Sequence, residues 1–216
     1  RKASVMCQAV AAIGLVMLSF MPNVTRDPYT GIVISIVVYA FASGLMEVIL
    51  SPMIEMLPSD NKSGSMSLLH SFYCWGQAVT AVGTTLLLHL FGYKGWQYIP
   101  LIWAVIPFFN AFSFLKVPLV EPPEDSKSDS FKKLIASSTF KVFMLMMFCA
   151  GAAEIAMAEW ASMFAQQALG VSKVIGDLAG PCSFAIFMGL GRLIYARFSE
   201  KISFRKTVIS MSLLCT

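Results

Sequence analysis

Gly31-Ile-Val-Ile-Ser35-Ile-Val-Val-Tyr39-Ala-Phe-Ala-Ser43-Gly-Leu-Met-Glu47-Val-Ile-Leu-Ser51-Pro52-Met-Ile-Glu55-Met-Leu57 contains no Lys or Arg, and its only acids are Glu47 and Glu55. A hydrocarbon core about 30 Å thick is crossed by about 20 helical residues. This run exceeds that length and lacks the alternation of period two that marks a barrel strand. Lipid tolerates only helices or closed barrels, because every backbone polar group must be satisfied internally. The stretch therefore reads as a membrane-crossing helix.

Working outward, the same reading covers Ala3–Met21, Ser65–Phe91, Trp96–Leu115, Phe140–Leu169 and Val174–Tyr195, and a seventh run begins near Thr207. The expected fold class is an all-α polytopic membrane protein with about six full spans and part of a seventh. Composition agrees: of 216 residues, 57% are hydrophobic and 13% charged, against about 25% charged in soluble domains. A soluble enzyme is excluded on that ground. The formal charge of +4 lies in short clusters between apolar runs and forms no basic face, so nucleic acid is not an expected partner. Cys7, Cys74, Cys149, Cys182 and Cys215 lie inside apolar runs, with no metal-like spacing to His70 or His89. No hydrolase or nucleotide-binding motif is present, so neither catalysis nor a metal or cofactor is expected.

Connections are short except between Lys116 and Thr139, where Pro118, Pro122, Pro123, serines and mixed charges read as a flexible linker between two helical parts, 1–115 and 140–216. Of the 16 Lys and Arg, only Arg26, Lys94 and Lys173 fall in one set of alternate connections. The opposite side, which holds the linker, is expected to be cytoplasmic. The chain opens on Arg1-Lys2 and closes inside an apolar run, which reads as a fragment. Arg205-Lys206 repeats the opening six helices later, suggesting two related halves of about 200 residues.

Four glutamates, Glu47, Glu55, Glu154 and Glu159, fall within spans. Charge at bilayer depth costs about 2.5 kcal/mol or more on insertion scales, so such acids mark solute or proton pathways. Glu47 is mid-span, whereas Glu55 is close to the end of its run. Glu154 is expected deep in the core, and Glu159, about 140° further round, near the outer interface. His70, Tyr73 and Gln77 form a stripe at i, i+3 and i+7. Such a stripe suits a hydroxyl-rich solute or interhelical hydrogen bonds, and Asn110 suits either purpose.

The stretch Gly191-Arg192-Leu-Ile-Tyr-Ala196-Arg197-Phe-Ser-Glu200-Lys201-Ile-Ser203-Phe-Arg205-Lys206 resembles the cytoplasmic loop signature G-x-x-x-D-R-x-G-R-R/K of the major facilitator superfamily, in the degenerate form of its second-half copy. The resemblance implies that the chain runs from the start of helix three to the beginning of helix nine. Residues 1–115 would then belong to the N-terminal half and 140–216 to the C-terminal half. It also implies that Arg192, Arg197, Glu200, Lys201 and Arg205 form a cytoplasmic gate motif. Gly44-Leu-Met-Glu47-Val-Ile-Leu-Ser51-Pro52 and Ser67-Leu-Leu-His70-Ser-Phe72-Tyr73-Cys-Trp-Gly76-Gln77 resemble the fucose-permease-like sugar:proton symporters, with His70 and Tyr73 standing where that pattern carries Gln and Asn.

A secondary transporter of a sugar or similar polar solute is implied, working by proton symport and alternating access. In it Glu47 would couple the proton, and His70, Tyr73, Gln77, Asn110 and Glu154 would bind solute. The partners implied are a small solute, protons and the lipid bilayer. The full-length protein would act as a monomer in the bacterial inner membrane. A drug or metabolite exporter of the same fold, or a non-transporting receptor or scaffold, are the alternatives.

Overall fold

The computed structural model describes residues 1–117 and 131–214. Helices α1 (Lys2–Val24), α2 (Pro28–Met56), α3 (Lys62–Phe91) and α4 (Tyr98–Lys116) precede the undescribed stretch. After it come α5 (Phe131–Ala136), α6 (Ser138–Leu169), α7 (Lys173–Asp177), a π-helical turn (Leu178–Cys182), α8 (Ser183–Phe198) and α9 (Phe204–Leu214). Among the described residues, 6 helical stretches are long and apolar enough to cross a membrane, with α7, the π turn and α8 together making the last, Lys173–Phe198. The expected spans are all present. α9, 11 residues long, falls where the seventh run was expected and is too short by itself to cross a membrane.

Local chemistry sets the ends. The Asp27 carboxylate accepts from Tyr29 N (3.3 Å) and Thr30 N (3.1 Å) and caps α2, with Pro28 in the first turn where its missing N–H costs nothing. Asn61 caps α3 by accepting from Gly64 N at 2.7 Å. Gly170, at φ 65°, closes α6 in the left-handed region that only glycine enters freely.

The stretch expected to be a flexible linker is partly helical. α4 runs through Lys116, α5 occupies Phe131–Ala136, and α6 starts at Ser138, while residues 118–130 lie outside the described part. Phe131, Leu134 and Ile135 recur at i, i+3 and i+4, which favours a helical turn over extended chain. Extended Ser137 ends that turn and caps α6, accepting from Phe140 N at 3.4 Å.

The packed surfaces are made of small side chains. α1 buries Ser4, Cys7, Ala11, Ala12, Gly14 and Ser19, and α2 buries Gly31, Ser35 and Ala42 along with Met46. Lipid is as apolar as Leu, so helices in it associate where small residues let backbones approach. Large apolar side chains point outward: Met147 is 75% exposed and Phe148 74%. α1 packs along both α2 and α4, whereas α3 packs along α8, and α6 leans on α7 and the π turn. α2 meets α3 at few points, as does α6 with α8. α2 and α6 do not pack along one another.

Neutral hydrogen bonds stitch the Lys62 end of α3 to the Phe198 end of α8. Asn61 Nδ2 donates to Ser199 Oγ at 2.7 Å, Ser63 Oγ and Tyr195 Oη stand 3.1 Å apart, and Ser67 Oγ donates to the Arg192 carbonyl at 2.8 Å. Gly64 permits the approach, since a Cβ there would stand 2.9 Å from the Ala196 carbonyl.

Candidate functional site: a polar cluster between four helices

Glu154 lies 16 residues along the 32-residue α6, about 24 Å from its start at 1.5 Å per residue and so at mid-helix. Its Oε2 stands 4.0 Å from Nη2 of Arg192 on α8, and both side chains are 31% exposed. Arg192 runs back along α8, with Nη2 also 3.8 Å from Met188 Sδ, one turn nearer the middle of the span. Tyr73 on α3 sits where the charges of both Glu154 and Glu47 reach it, and the neighbouring Cys74 feels Arg192 and Glu154. Glu47 on α2, Glu154 on α6 and Arg192 on α8 thus each lie within electrostatic reach of Tyr73 or Cys74 on α3.

The remaining expected residues fall on and around this region. His70 and Gln77 are half-buried on the same stripe of α3 as Tyr73, which is exposed. Gln77 Oε1 is buried and has no hydrogen-bond partner among the described residues. An orphaned acceptor asks for a donor, and a solute hydroxyl is one. Glu47 is exposed, and its backbone carbonyl accepts from Ser51 Oγ at 3.4 Å. Asn110 stands apart: it is exposed on α4, whose neighbours are α1 and, at few points, α3. Glu55 and Glu159 are exposed and make no ion pair among the described residues.

The expected gate motif is divided. Arg197, Glu200, Lys201 and Arg205 are exposed and form no ion pair among the described residues, whereas Arg192 turns inward to Glu154. The contacts between the ends of α3 and α8 come from the uncharged Asn61, Ser63, Ser67, Tyr195 and Ser199.

Sequence reasoning passed over Asp177. Its Oδ1 accepts from Ser162 of α6 and pairs with Lys173 at 3.1 Å, and Thr85 Oγ1 of α3 donates to Oδ2 at 3.4 Å. With its lone pairs so occupied, Asp177 ties α3, α6 and α7 together. An acid three residues inside the expected Val174–Tyr195 span was the available signal. Asp177 directly precedes a π turn that contains Pro181, and Gly180 in that turn, lacking a side chain, admits Ala161 and Ser162 of α6.

A cavity of about 620 Å³ lies elsewhere. It is lined by α1 and α4 residues such as Met17, Phe20, Phe108 and Phe112, with none of the candidate polar residues.

Comparison with curated proteins and with solved structures returns no match. The sequence model of the Major Facilitator Superfamily matches residues 1–216. With six membrane-length helices and a match over its whole length, the chain belongs to the major facilitator superfamily and is an integral membrane protein of the secondary-transporter type.

Proposed function

We propose that this transporter moves a sugar or similar small polyhydroxylated solute together with protons, by alternating access. The observation that carries the reading is that Glu47 of α2 and Glu154 of α6, two helices that do not pack along one another, both lie within electrostatic reach of Tyr73 on α3. Glu47 takes and releases the proton. His70, Tyr73 and Gln77 contact the solute, with Glu154 reaching it from α6; Asn110, apart on α4, is left out of the site. Residues 1–115 are helices three to six of one half, 116–139 the cytoplasmic linker, and 140–216 helices seven, eight and the start of nine. Rocking of one half against the other exposes the solute to each side in turn. Arg197, Glu200, Lys201 and Arg205 anchor the cytoplasmic end, and the protein works as a monomer in a bacterial inner membrane.

An exporter of apolar compounds is favoured by the Phe- and Met-lined cavity, but that cavity holds no coupling acid. A scaffold would tie its intramembrane polar groups into helix contacts, and Gln77 Oε1 is untied.

The test is uptake of labelled sugars by vesicles carrying the full chain, with and without a pH gradient. Glu47→Gln mimics the protonated acid, so accumulation against a gradient should disappear while counterflow exchange persists. Normal pH-driven accumulation by that variant would remove Glu47 as the proton carrier, and uptake of no sugar at all would end the solute assignment.

A further inference from the structure

We propose that the groove between α1 and α4 binds one anionic phospholipid, with an acyl chain lying along the groove and the phosphate held by Arg1, Lys2 and Lys116. The groove has a volume of about 620 Å³, and every side chain that lines it is apolar. Ala12 is buried and Ala9 and Ala111 are half-buried, whereas Phe20, Phe108 and Phe112 are exposed. Small side chains thus form the floor and aromatic ones the rim. Phe108 meets Phe112 edge to face, with ring centres 5.2 Å apart, which steadies one wall.

The shape fits a hydrocarbon chain. Val5 and Met21 mark the two ends of the α1 wall, about 24 Å apart at 1.5 Å per residue. One leaflet supplies half of a hydrocarbon core about 30 Å thick, so an acyl chain can run its full depth within the groove. Seated over the alanine floor, it gains contacts that a void would forfeit. A hydroxyl-rich solute would leave its hydrogen bonds unmade there. The groove is also tied at both ends. Arg1 Nη2 donates to the Val117 carbonyl, just past α4, at 3.3 Å. At the far end Asn23 Nδ2 donates to Gln97 Oε1 at 3.2 Å, and Gln97 Nε2 returns the bond to Asn23 Oδ1 at 3.0 Å.

Charge selects the headgroup. The Arg1–Val117 bond brings the start of α1 and the end of α4 to one membrane face. Arg1 and Lys2 lie within about one helical turn of Val5, and Lys116 adjoins Leu115, so three cations stand at the mouth of the groove. All three are exposed, and none forms an ion pair among the described residues. Neither α1 nor α4 contains an Asp or Glu to neutralise them. Arg1 commits one nitrogen to Val117 and keeps the rest of its fork for phosphate oxygens, while Lys2 and Lys116 add charge beside it. Cations at a helix end also fix orientation in the membrane, but that role needs no groove beneath them. Arg197, Lys201 and Arg205 make an equal set of exposed cations that is no part of this groove, and so provide the comparison.

The experiment is native mass spectrometry of the full chain released from nanodiscs of phosphatidylglycerol and phosphatidylcholine, mixed equally and matched in acyl chains. One phosphatidylglycerol should stay with each chain, in preference to phosphatidylcholine. Lys116→Gln should weaken that preference by about fivefold, the factor that one cation near an anionic surface supplies. Arg1→Gln/Lys2→Gln/Lys116→Gln should abolish it. Ala111→Leu and the milder Ala9→Leu fill the groove without altering any charge, and each should also release the lipid. Arg197→Gln/Lys201→Gln/Arg205→Gln removes as many cations elsewhere and should leave retention unchanged. Folding of each variant is checked by the protection of the buried Cys7 and Cys74 thiols. Retention that survives both leucine variants in a folded chain, or that falls as far with the Arg197, Lys201 and Arg205 set, would overturn the proposal and leave only general attraction to an anionic surface. Equal retention of phosphatidylcholine would overturn it as well. A dimer that Ala111→Leu disperses would give the groove to a second copy of the chain, against the proposal.

Discussion

A Cβ at position 14 has nowhere to go. Built on α1, it would lie 2.7 Å from Tyr39 N and 2.9 Å from Tyr39 Cα and Cβ on α2. Carbon contacts relax at about 3.5–4.0 Å, so Gly14→Ala must push the two helices apart by about 1 Å. Two of the three close atoms are backbone, and no rotamer change relieves them. Overpacking of this kind costs about 1–3 kcal/mol. The substitution also brings a gain of about 1 kcal/mol in helix propensity, which must be separated from the clash.

Gly44→Ala and Gly76→Ala provide the separation, because both glycines are helical and a Cβ at either meets nothing within 4 Å. The expected result is that Gly14→Ala is about 1–3 kcal/mol less stable than either control. The assay is built into the chain. Among the described residues Cys7, Cys74 and Cys182 are buried thiols and Cys149 is exposed, so with Cys215 replaced by serine a thiol-reactive dye reports unfolding over a constant background as the full chain is heated in detergent. Cys7 shares α1 with Gly14 and should be unmasked first. Equal unmasking midpoints for Gly14→Ala and Gly44→Ala would refute the close α1–α2 approach.

Other expectations follow from single contacts. The Thr30 hydroxyl (2.8 Å) and the Thr30 and Tyr29 amides hold the Asp27 carboxyl below the ordinary carboxylate range, the Thr30 side chain most strongly. Because its folded pKa is depressed, the stability it contributes is present above about pH 4, the unfolded value, and is lost as pH falls through the folded one. Asp27→Asn should therefore flatten the acid limb of the stability profile, and an unchanged limb would refute the cap. The Asn61–Ser199 contact joins α3 to α8, so cysteines at both positions tied by a short cleavable cross-linker should stop transport until the link is cut. Continued transport would refute rocking at this end. A cysteine at Ser128 in an otherwise cysteine-free full chain should resist impermeant thiol reagents outside intact cells, and ready labelling would invert the orientation.

The spans were legible because lipid leaves an apolar run of membrane length essentially one backbone solution, and caps such as Asp27-Pro28 act over a few residues. Glu47 and Glu154 were legible as well, since an acid in such a run stands out without tertiary information. Partner choice was not. Apolar residues surround each helix, so hydrophobicity does not say which face packs, and only complementary small residues at Gly14, Gly64 and Gly189 bring particular backbones together. The alignment of α3 with α8 across the linker, the π turn that carries Asp177 to α6, and the split of the basic motif all depend on such long-range fits. Arg192 shows the difference most clearly. In sequence it is one more cation near a basic loop, and only the position of α6 beside α8 gives its side chain a reason to turn inward.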